Sequence, residues 1–335
     1  MRADTPPDDA IVLIDGPWTH RHVSANGIAL HVAEMGSGPL VLLLHGFPQF
    51  WWTWRQQLVD LADSGYRAVA VDLRGYGASD KPPRGYDTPT LAADVAALVT
   101  ALGERDAMVV GNDVGGLLAW TVAAMHPRVV RRLAVLGAAH PLRFRQAILS
   151  DPRGQGRASA YALRGFQIPR RPESRLTKDG TYVRQLFDTW SGPRWRATPA
   201  YDGDVERYAE ALQIHPVAHL ALEQFRWLVR SLPRPDGRRF ARRMQVPIAA
   251  PVLHLHGDFD RCILPRTAQG SGRYVTGEYH GRELMWYFAQ DAQALRRFIP
   301  ALPIDAGQYE RLVAAVAGLE QAPSVDELVR LTLVQ

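Results

Sequence analysis

Residues 107–116 read Ala-Met-Val-Val-Gly-Asn-Asp-Val-Gly-Gly, an apolar run that ends in a glycine-rich turn around Asp113. A G-x-nucleophile-x-G turn between a strand and a helix lifts a reactive side chain above the edge of a parallel sheet. Such a turn strains the backbone and brings it close to its neighbours, which a Cβ at Gly111 or Gly115 would obstruct. Asp113 is either a helix cap or a nucleophile. As a nucleophile, a carboxylate attacks alkyl carbon and gives an ester, whereas serine gives an acyl-enzyme.

Strand-like and helix-like segments alternate on both sides of this turn. Apolar runs or apolar-polar alternation predict strands at residues 28–34, 40–45, 66–72, 107–111, 132–137 and 250–256. Helices are predicted at residues 52–64, 90–102 and 115–126. This order predicts an α/β protein with a mainly parallel, doubly wound sheet.

The alternation stops at His140-Pro141 and resumes only at residue 250. The intervening residues 141–244 are rich in Arg, Pro and Trp, and they show helical patterns at 181–190 and 216–231. We expect them to form a helical cap over the carboxyl edge of the sheet, where open α/β sheets bind ligands. The core is then formed by residues 17–140 and 245–300. Residues 301–335 are expected to form a C-terminal helical extension, which either supports a homodimer or covers the core.

Composition narrows the function classes. The 335 residues, 47% hydrophobic and 22% charged, suit one large α/β domain with an insertion. Cys262 is the only cysteine, which excludes an intrachain disulfide and a cysteine-based metal cluster. The net charge is +5, but the basic stretches 164–175 and 238–243 have no accompanying nucleic-acid motif, so they favour a solvated face or a domain seam. No signal peptide or membrane-length apolar run is present, so we expect a cytoplasmic protein without cofactor or metal.

Two further motifs follow neighbouring strands. His45-Gly46-Phe47-Pro48 comes directly after residues 40–44, and Asp72-Leu-Arg-Gly-Tyr-Gly77 comes after the next strand. With the glycine-rich turn around Asp113, called the elbow below, they resemble the epoxide hydrolase branch of the α/β-hydrolase superfamily, from about residue 18 to residue 298. The resemblance implies the α/β-hydrolase fold, a small hydrophobic organic substrate and Asp113 as the nucleophile. It also implies an oxyanion hole formed by the backbone N–H groups of Phe47 and Val114.

In that family a nucleophile, an acidic residue and a histidine form a catalytic triad, and the triad is incomplete in this chain. Asp260, in Gly257-Asp-Phe-Asp260, matches the acidic member, which orients an imidazole. The family's histidine follows the last strand, but here Met285–Asp291 contains none, and Tyr287 falls closest to its position. A tyrosine with its ordinary pKa near 10 is a poor base at neutral pH, so hydrolysis is expected to stall at the ester. His140 at the cap hinge is the alternative, if its imidazole bridges the two carboxylates.

The expected cap and pocket residues also depart from the family. The family polarises the epoxide oxygen with two cap tyrosines; Phe225 stands at one of these positions, and Tyr161 is the candidate for the other. Trp51 belongs either to the core or to the pocket wall. Three hypotheses remain open. The chain is an epoxide hydrolase, a non-hydrolytic enzyme of the same lineage that catalyses isomerisation, elimination or cyclisation, or a non-catalytic ligand binder.

Overall fold

The computed structural model of the chain describes residues 7–257 and 260–284. Its eight strands form a single sheet in the spatial order β1-β2-β4-β3-β5-β6-β7-β8. Their bounds are β1 (Thr19–Ala25), β2 (Ile28–Met35), β3 (Leu40–Leu44), β4 (Arg67–Val71), β5 (Ala107–Asn112), β6 (Val130–Leu136), β7 (Val252–Gly257) and β8 (Tyr279–Leu284). Tyr287 and the expected extension 301–335 lie outside the described residues.

The sheet is mainly parallel, as the sequence predicts. Strand β3 pairs in parallel with β4 and β5, and β5–β6 and β6–β7 are parallel as well. The antiparallel pairs are β1–β2 and β2–β4, at one edge of the sheet. All five residues of β3 are buried, as expected of a central strand that is covered on both faces.

Three helices of the core alternate with the strands. They are α1 (Arg55–Asp63), α2 (Thr88–Ala101) and α3 (Val114–Met125), close to the predicted bounds. A 3-10 helix at Trp51–Trp54 precedes α1 and takes the place of the first predicted helical turn. Helix α3 is buried along nearly its whole length because glycines let it approach the sheet. A Cβ on Gly115 would collide with the carbonyl oxygens of Leu44 and His45.

The chain between β6 and β7 contains no strand and forms a helical insert. Its helices are α4 (Pro141–Ser150), α5 (Gln155–Ala158), α6 (Ala160–Leu163), α7 (Arg171–Thr177), α8 (Thr181–Trp190), α9 (Pro193–Arg196), α10 (Tyr201–Gln213), α11 (Val217–Arg230) and α12 (Pro235–Arg243). A short helix, α13 (Pro265–Gln269), follows β7. In the described part of the chain, no helix combines the length and the hydropathy needed to cross a membrane.

Candidate active site

Asp113 lies at the junction between β5 and α3, on a strained turn. Its φ of 51° and ψ of −117° place a residue with a Cβ in a region that favours glycine. Although Asp113 precedes the helix, its side chain makes no capping hydrogen bond. The carboxylate therefore does not cap α3, which was the alternative to a nucleophile at this position. The elbow instead directs it to a cavity bounded by the helical insert.

The loop after β3 supplies a backbone donor to this carboxylate. The Phe47 N–H donates to Asp113 Oδ2 with an N–O distance of 3.0 Å, and the backbone N–H of Val114, the next residue, is close enough to lower the pKa of the carboxyl. His45 is fully buried and fixes the loop: Nδ1 donates to the Gly46 carbonyl (2.9 Å), and Nε2 accepts the Leu73 N–H (3.1 Å). Of the two expected oxyanion-hole donors, the Phe47 N–H therefore hydrogen-bonds to Asp113.

Asp113 lies in buried, negatively charged surroundings. Burial raises the pKa of Asp113 from 3.8 to about 6; the Phe47 and Val114 N–H groups oppose the rise, and the charge of Asp260 adds to it. Among the described residues, no lysine, arginine or histidine forms an ion pair with Asp113. The carboxylate thus faces a second carboxylate with only backbone dipoles to offset its charge.

Asp260 is held in place by the chain that follows it. Its Oδ1 accepts the Cys262 N–H at 2.7 Å and the Ile263 N–H at 2.9 Å. Its Oδ2 lies 3.7 Å from Nε2 of His256, and burial raises the pKa of Asp260. His256 was not expected at the site from the sequence. It is the penultimate residue of β7, and its position directly before the Gly257-x-x-Asp260 motif is the one feature of the sequence that could have pointed to it.

The imidazoles within the described residues do not bridge the two carboxylates. His256 Nε2 donates to the Ile263 carbonyl at 2.8 Å, and its buried Nδ1 has no partner. His140 is also buried: its ring stacks on Tyr274 with centroids 4.0 Å apart, and its Nδ1 accepts the Leu142 N–H. Burial lowers the pKa of His140 to about 3, so this imidazole is neutral. It makes no hydrogen bond with Asp113 or Asp260.

The insert places Tyr161 and Phe225 in the wall of the Asp113 cavity, which has a volume of about 60 Å³. Burial raises the pKa of the Tyr161 hydroxyl and that of the nearby Cys262 thiol. Phe225 packs on Phe47 with ring centroids 5.2 Å apart, and it brings no hydroxyl to the site. The described residues hold no group of three metal-ligating side chains.

Trp51 lies elsewhere. Its side chain is fully buried, its indole N–H donates to the Val12 carbonyl at 2.8 Å, and its ring packs edge-to-face on Trp18. Trp51 is not among the residues that line the Asp113 cavity. The structure therefore gathers Asp113, Asp260, Tyr161, Phe225 and the two backbone donors, and it leaves Trp51 in the core and His140 at the start of α4.

Comparison with known proteins places this geometry in context. The family described as alpha/beta hydrolase fold matches residues 39–281. An AB hydrolase superfamily protein of Bacillus subtilis (strain 168) is 38% identical over 193 residues, 56% of this chain and 66% of that protein. Epoxide hydrolase 3 of Xenopus tropicalis is 44% identical over 173 residues, 50% of this chain and 46% of that protein. A crystal structure of an epoxide hydrolase from Vigna radiata superimposes with a TM-score of 0.65 and 26% identity, covering 85% of this chain and 98% of that one. In sequence, the chain spans less than two thirds of the length of these curated relatives.

Proposed function

The chain belongs to the α/β-hydrolase-fold family, and from that premise we propose that Asp113 opens an epoxide by forming an ester with one of its carbons. The observation that carries the proposal is the anchoring of Asp113: Oδ2 is held by the Phe47 N–H, at 3.0 Å. This leaves Oδ1 to attack. The Oδ1–carbon bond forms as the carbon–oxygen bond of the epoxide breaks, and the epoxide oxygen takes a proton from the Tyr161 hydroxyl, which then regains a proton from solvent.

The Phe47 N–H also suits the second step of the reaction, the hydrolysis of the ester. Water attack on Cγ of Asp113 moves the carbonyl electrons of the ester onto Oδ2, the oxygen that the Phe47 N–H already contacts. Preorganised donors at a developing oxyanion contribute about 2.7–4 kcal/mol each to transition-state stabilisation. Collapse of this intermediate releases a diol and regenerates the carboxylate. The step needs a base for the water, and in the described residues no imidazole hydrogen-bonds to Asp113. We therefore expect ester formation to outpace ester hydrolysis.

Several relatives support an epoxide as substrate. The curated proteins that match at 36–44% identity include epoxide hydrolases 3 and 4 of vertebrates. An epoxide hydrolase-like enzyme is thus the leading proposal for this chain. The residues of the helical insert agree with this proposal in part. Tyr161 lines the cavity and brings a hydroxyl to it, whereas Phe225, at the position of the family's second tyrosine, brings none.

A second candidate function is a non-hydrolytic reaction of the same lineage. It is favoured by the raised pKa of Asp113, about 6, because a carboxylate with that pKa is a better base than an ordinary aspartate. Asp113 would then remove a proton during an isomerisation, elimination or cyclisation, and no water would be consumed. The third candidate, a ligand binder without turnover, needs only the capped cavity.

Intact-protein mass spectrometry with styrene oxide tests these candidates. We expect a mass increase of one whole epoxide on the wild type, because ring opening expels no leaving group. Asp113→Asn should show no adduct, whereas Asp63→Asn, at an exposed position, should label like the wild type. Diol that carries oxygen-18 from labelled water supports hydrolysis. Unlabelled, rearranged product supports the second candidate, and binding with neither adduct nor product supports the third.

A further inference from the structure

Three polar side chains link strands β1 and β2 to the loop that follows β4. Oδ2 of Asp72 lies 2.8 Å from Nδ1 of His31, and Nε2 of His31 lies 3.0 Å from Nδ1 of His20. The remaining nitrogen of His20, Nε2, lies 2.9 Å from the carbonyl oxygen of Ile14. Asp72 and His31 are fully buried, and His20 is half-buried. We call Asp72, His31 and His20 the histidine clasp.

The histidine clasp needs one proton more than two neutral imidazoles carry. The Ile14 carbonyl can only accept, so Nε2 of His20 donates to it. Ionised Asp72 can also only accept, so Nδ1 of His31 donates to it. The contact between the two rings needs a third N–H, on one of the two facing nitrogens. Because two neutral rings supply only two N–H groups, one ring must be an imidazolium for all three hydrogen bonds to form.

Asp72 is the anion that balances this charge. Burial alone would raise the pKa of its carboxyl, but the hydrogen bond and the charge of His31 hold that pKa below its ordinary value. Two backbone groups also donate to the carboxylate: the Trp51 N–H to Oδ1 at 2.9 Å, and the Ala78 N–H to Oδ2 at 3.1 Å. A buried charge is tolerated in a protein interior when it is paired and hydrogen-bonded in this way.

Two further histidines face the clasp. The ring of His22, on β1, lies 5.6 Å from that of His31, and its Nε2 bonds a backbone carbonyl at 3.0 Å. His45, after β3, is near Asp72, but burial lowers its pKa and keeps it neutral. Asp15 and Asp80 are exposed. The other charged side chains of the adjoining segments are paired with one another: Arg21 with Glu34, Lys81 with Asp9, and Arg74 with Asp94.

The clasp holds the segment before β1, residues 9–18, which we call the N-terminal strap. Its 3-10 helix, Asp9–Val12, packs against α10 of the helical insert. The Val12 carbonyl accepts the indole N–H of Trp51 at 2.8 Å, so the strap also contacts the core. Its attachment at Ile14 is the one made by the clasp.

We propose that the histidine clasp is a proton-dependent anchor of the N-terminal strap. While one imidazole is charged, all three hydrogen bonds form and the strap is fixed at Ile14. When the pH rises, the extra proton passes to solvent, and one hydrogen bond is lost, either between the two rings or at Ile14. The strap is then held less firmly on the core and on α10. The anchor is therefore strong at acidic pH and weak at alkaline pH, and it does not depend on the role proposed for Asp113.

Long-range proton–nitrogen NMR of the full chain, labelled with nitrogen-15 histidine, counts the ring protons. The measurement compares pH 5.5 with pH 8.5, on either side of the range in which imidazoles usually change charge. We expect three N–H groups on the four ring nitrogens of His20 and His31 at pH 5.5, and two at pH 8.5. The signals of His20 are identified by their loss in His20→Gln. A count that is the same at both pH values overturns the proposal.

Hydrogen–deuterium exchange at the same two pH values, corrected for the intrinsic pH dependence of amide exchange, measures how firmly the strap is held. In the wild type, we expect the amides of residues 9–18 to exchange about tenfold faster at pH 8.5, the effect of losing one charge-assisted hydrogen bond. In His20→Gln they should exchange fast at both pH values. His22→Gln changes an exposed histidine of the same strand and should behave like the wild type.

Strand β3 serves as the internal control, because it should stay protected in all three proteins. Equal corrected rates at both pH values in the wild type, or an unchanged pH effect in His20→Gln, overturns the proposal. If His22→Gln alone abolishes the pH effect, His22 is the group that titrates, and the shared proton of His20 and His31 is refuted.

Discussion

Replacing Asp113 by asparagine should abolish ester formation and, above pH 6, make the fold more stable. Asparagine keeps a side-chain oxygen that accepts the Phe47 N–H, so the hydrogen bond to the loop is kept. What disappears is a buried negative charge beside Asp260. The folded protein holds the Asp113 proton up to about pH 6, whereas the unfolded chain releases it near pH 3.8. Ionisation therefore destabilises the wild type progressively as the pH rises from about 4 to 6, and fully above that range.

The size of the effect follows from the two pKa values. A rise from 3.8 to about 6 corresponds to a cost of about 3 kcal/mol in the free energy of unfolding once the group is ionised in both states. At pH 4.5 the carboxyl is ionised in most unfolded chains but protonated in the folded protein, and the cost is about 1 kcal/mol. For a chain of this length, 3 kcal/mol corresponds to a rise in Tm of roughly 5 °C.

Urea unfolding of the wild type and Asp113→Asn at pH 4.5 and pH 7.5 measures this difference. We expect the variant to be more stable by about 3 kcal/mol at pH 7.5 and by about 1 kcal/mol at pH 4.5. Asp63→Asn, which changes an exposed carboxylate, is the control and should show no such growth with pH. A gain in stability that is equal at both pH values, or a variant that is less stable at pH 7.5, would refute the conclusion that Asp113 is a buried carboxylate without a neutralising partner.

Three other predictions concern the reaction. The rate of styrene oxide labelling should rise with pH and level off above about pH 6, because only ionised Asp113 attacks; a rate that falls over this range contradicts the assignment. Tyr161→Phe should slow labelling about a hundredfold, with little change in epoxide affinity, if its hydroxyl protonates the leaving oxygen; an unchanged rate in stopped-flow mass measurements removes that role. Tyr287→His should raise diol release from the preformed ester, which single-turnover assays detect; efficient hydrolysis by the wild type would show that the chain does not lack a base.

Most of the fold could be predicted because its signals are local. The buried strand β3 is a continuous apolar run, and α8 starts and ends at the predicted residues, 181 and 190. Strand β1 escaped prediction because its polar residues outnumber its buried ones; it is defined by pairing with β2, with Thr19 opposite Glu34. Trp51 shows a similar limit. Its cluster of tryptophans does not reveal that a 3-10 helix turns Trp51 inward and leaves Trp52 half-buried.

The candidate site divides in the same way. The Asp113 elbow and the Phe47 loop are short motifs, and each is determined by consecutive residues. Their proximity in the fold could therefore be predicted. The surface cleft lined by Arg84, Arg234, Arg239 and Arg243 could not be anticipated, because it joins residues 83–89 to α11 and α12, more than a hundred positions away. His256 was also missed, since its proximity to Asp260 depends on the path of the turn between them.

Among the described residues no imidazole hydrogen-bonds to Asp113, and this connects the departure in sequence with the charge of the site. In a complete triad, the imidazole takes a proton during turnover, and the acid stabilises the cation that results. Here His256 lies 3.7 Å from Asp260, and its Nε2 donates to the Ile263 carbonyl, so it can offset the charge of Asp260 only. Asp113 is left with backbone donors against a neighbouring carboxylate, and its pKa is raised to about 6. Attack on an epoxide converts this carboxylate into a neutral ester and relieves the repulsion, whereas hydrolysis restores it. In the proposed reaction, the electrostatics of the described residues therefore favour formation of the ester over its hydrolysis. The absence among them of an imidazole base to activate water has the same effect.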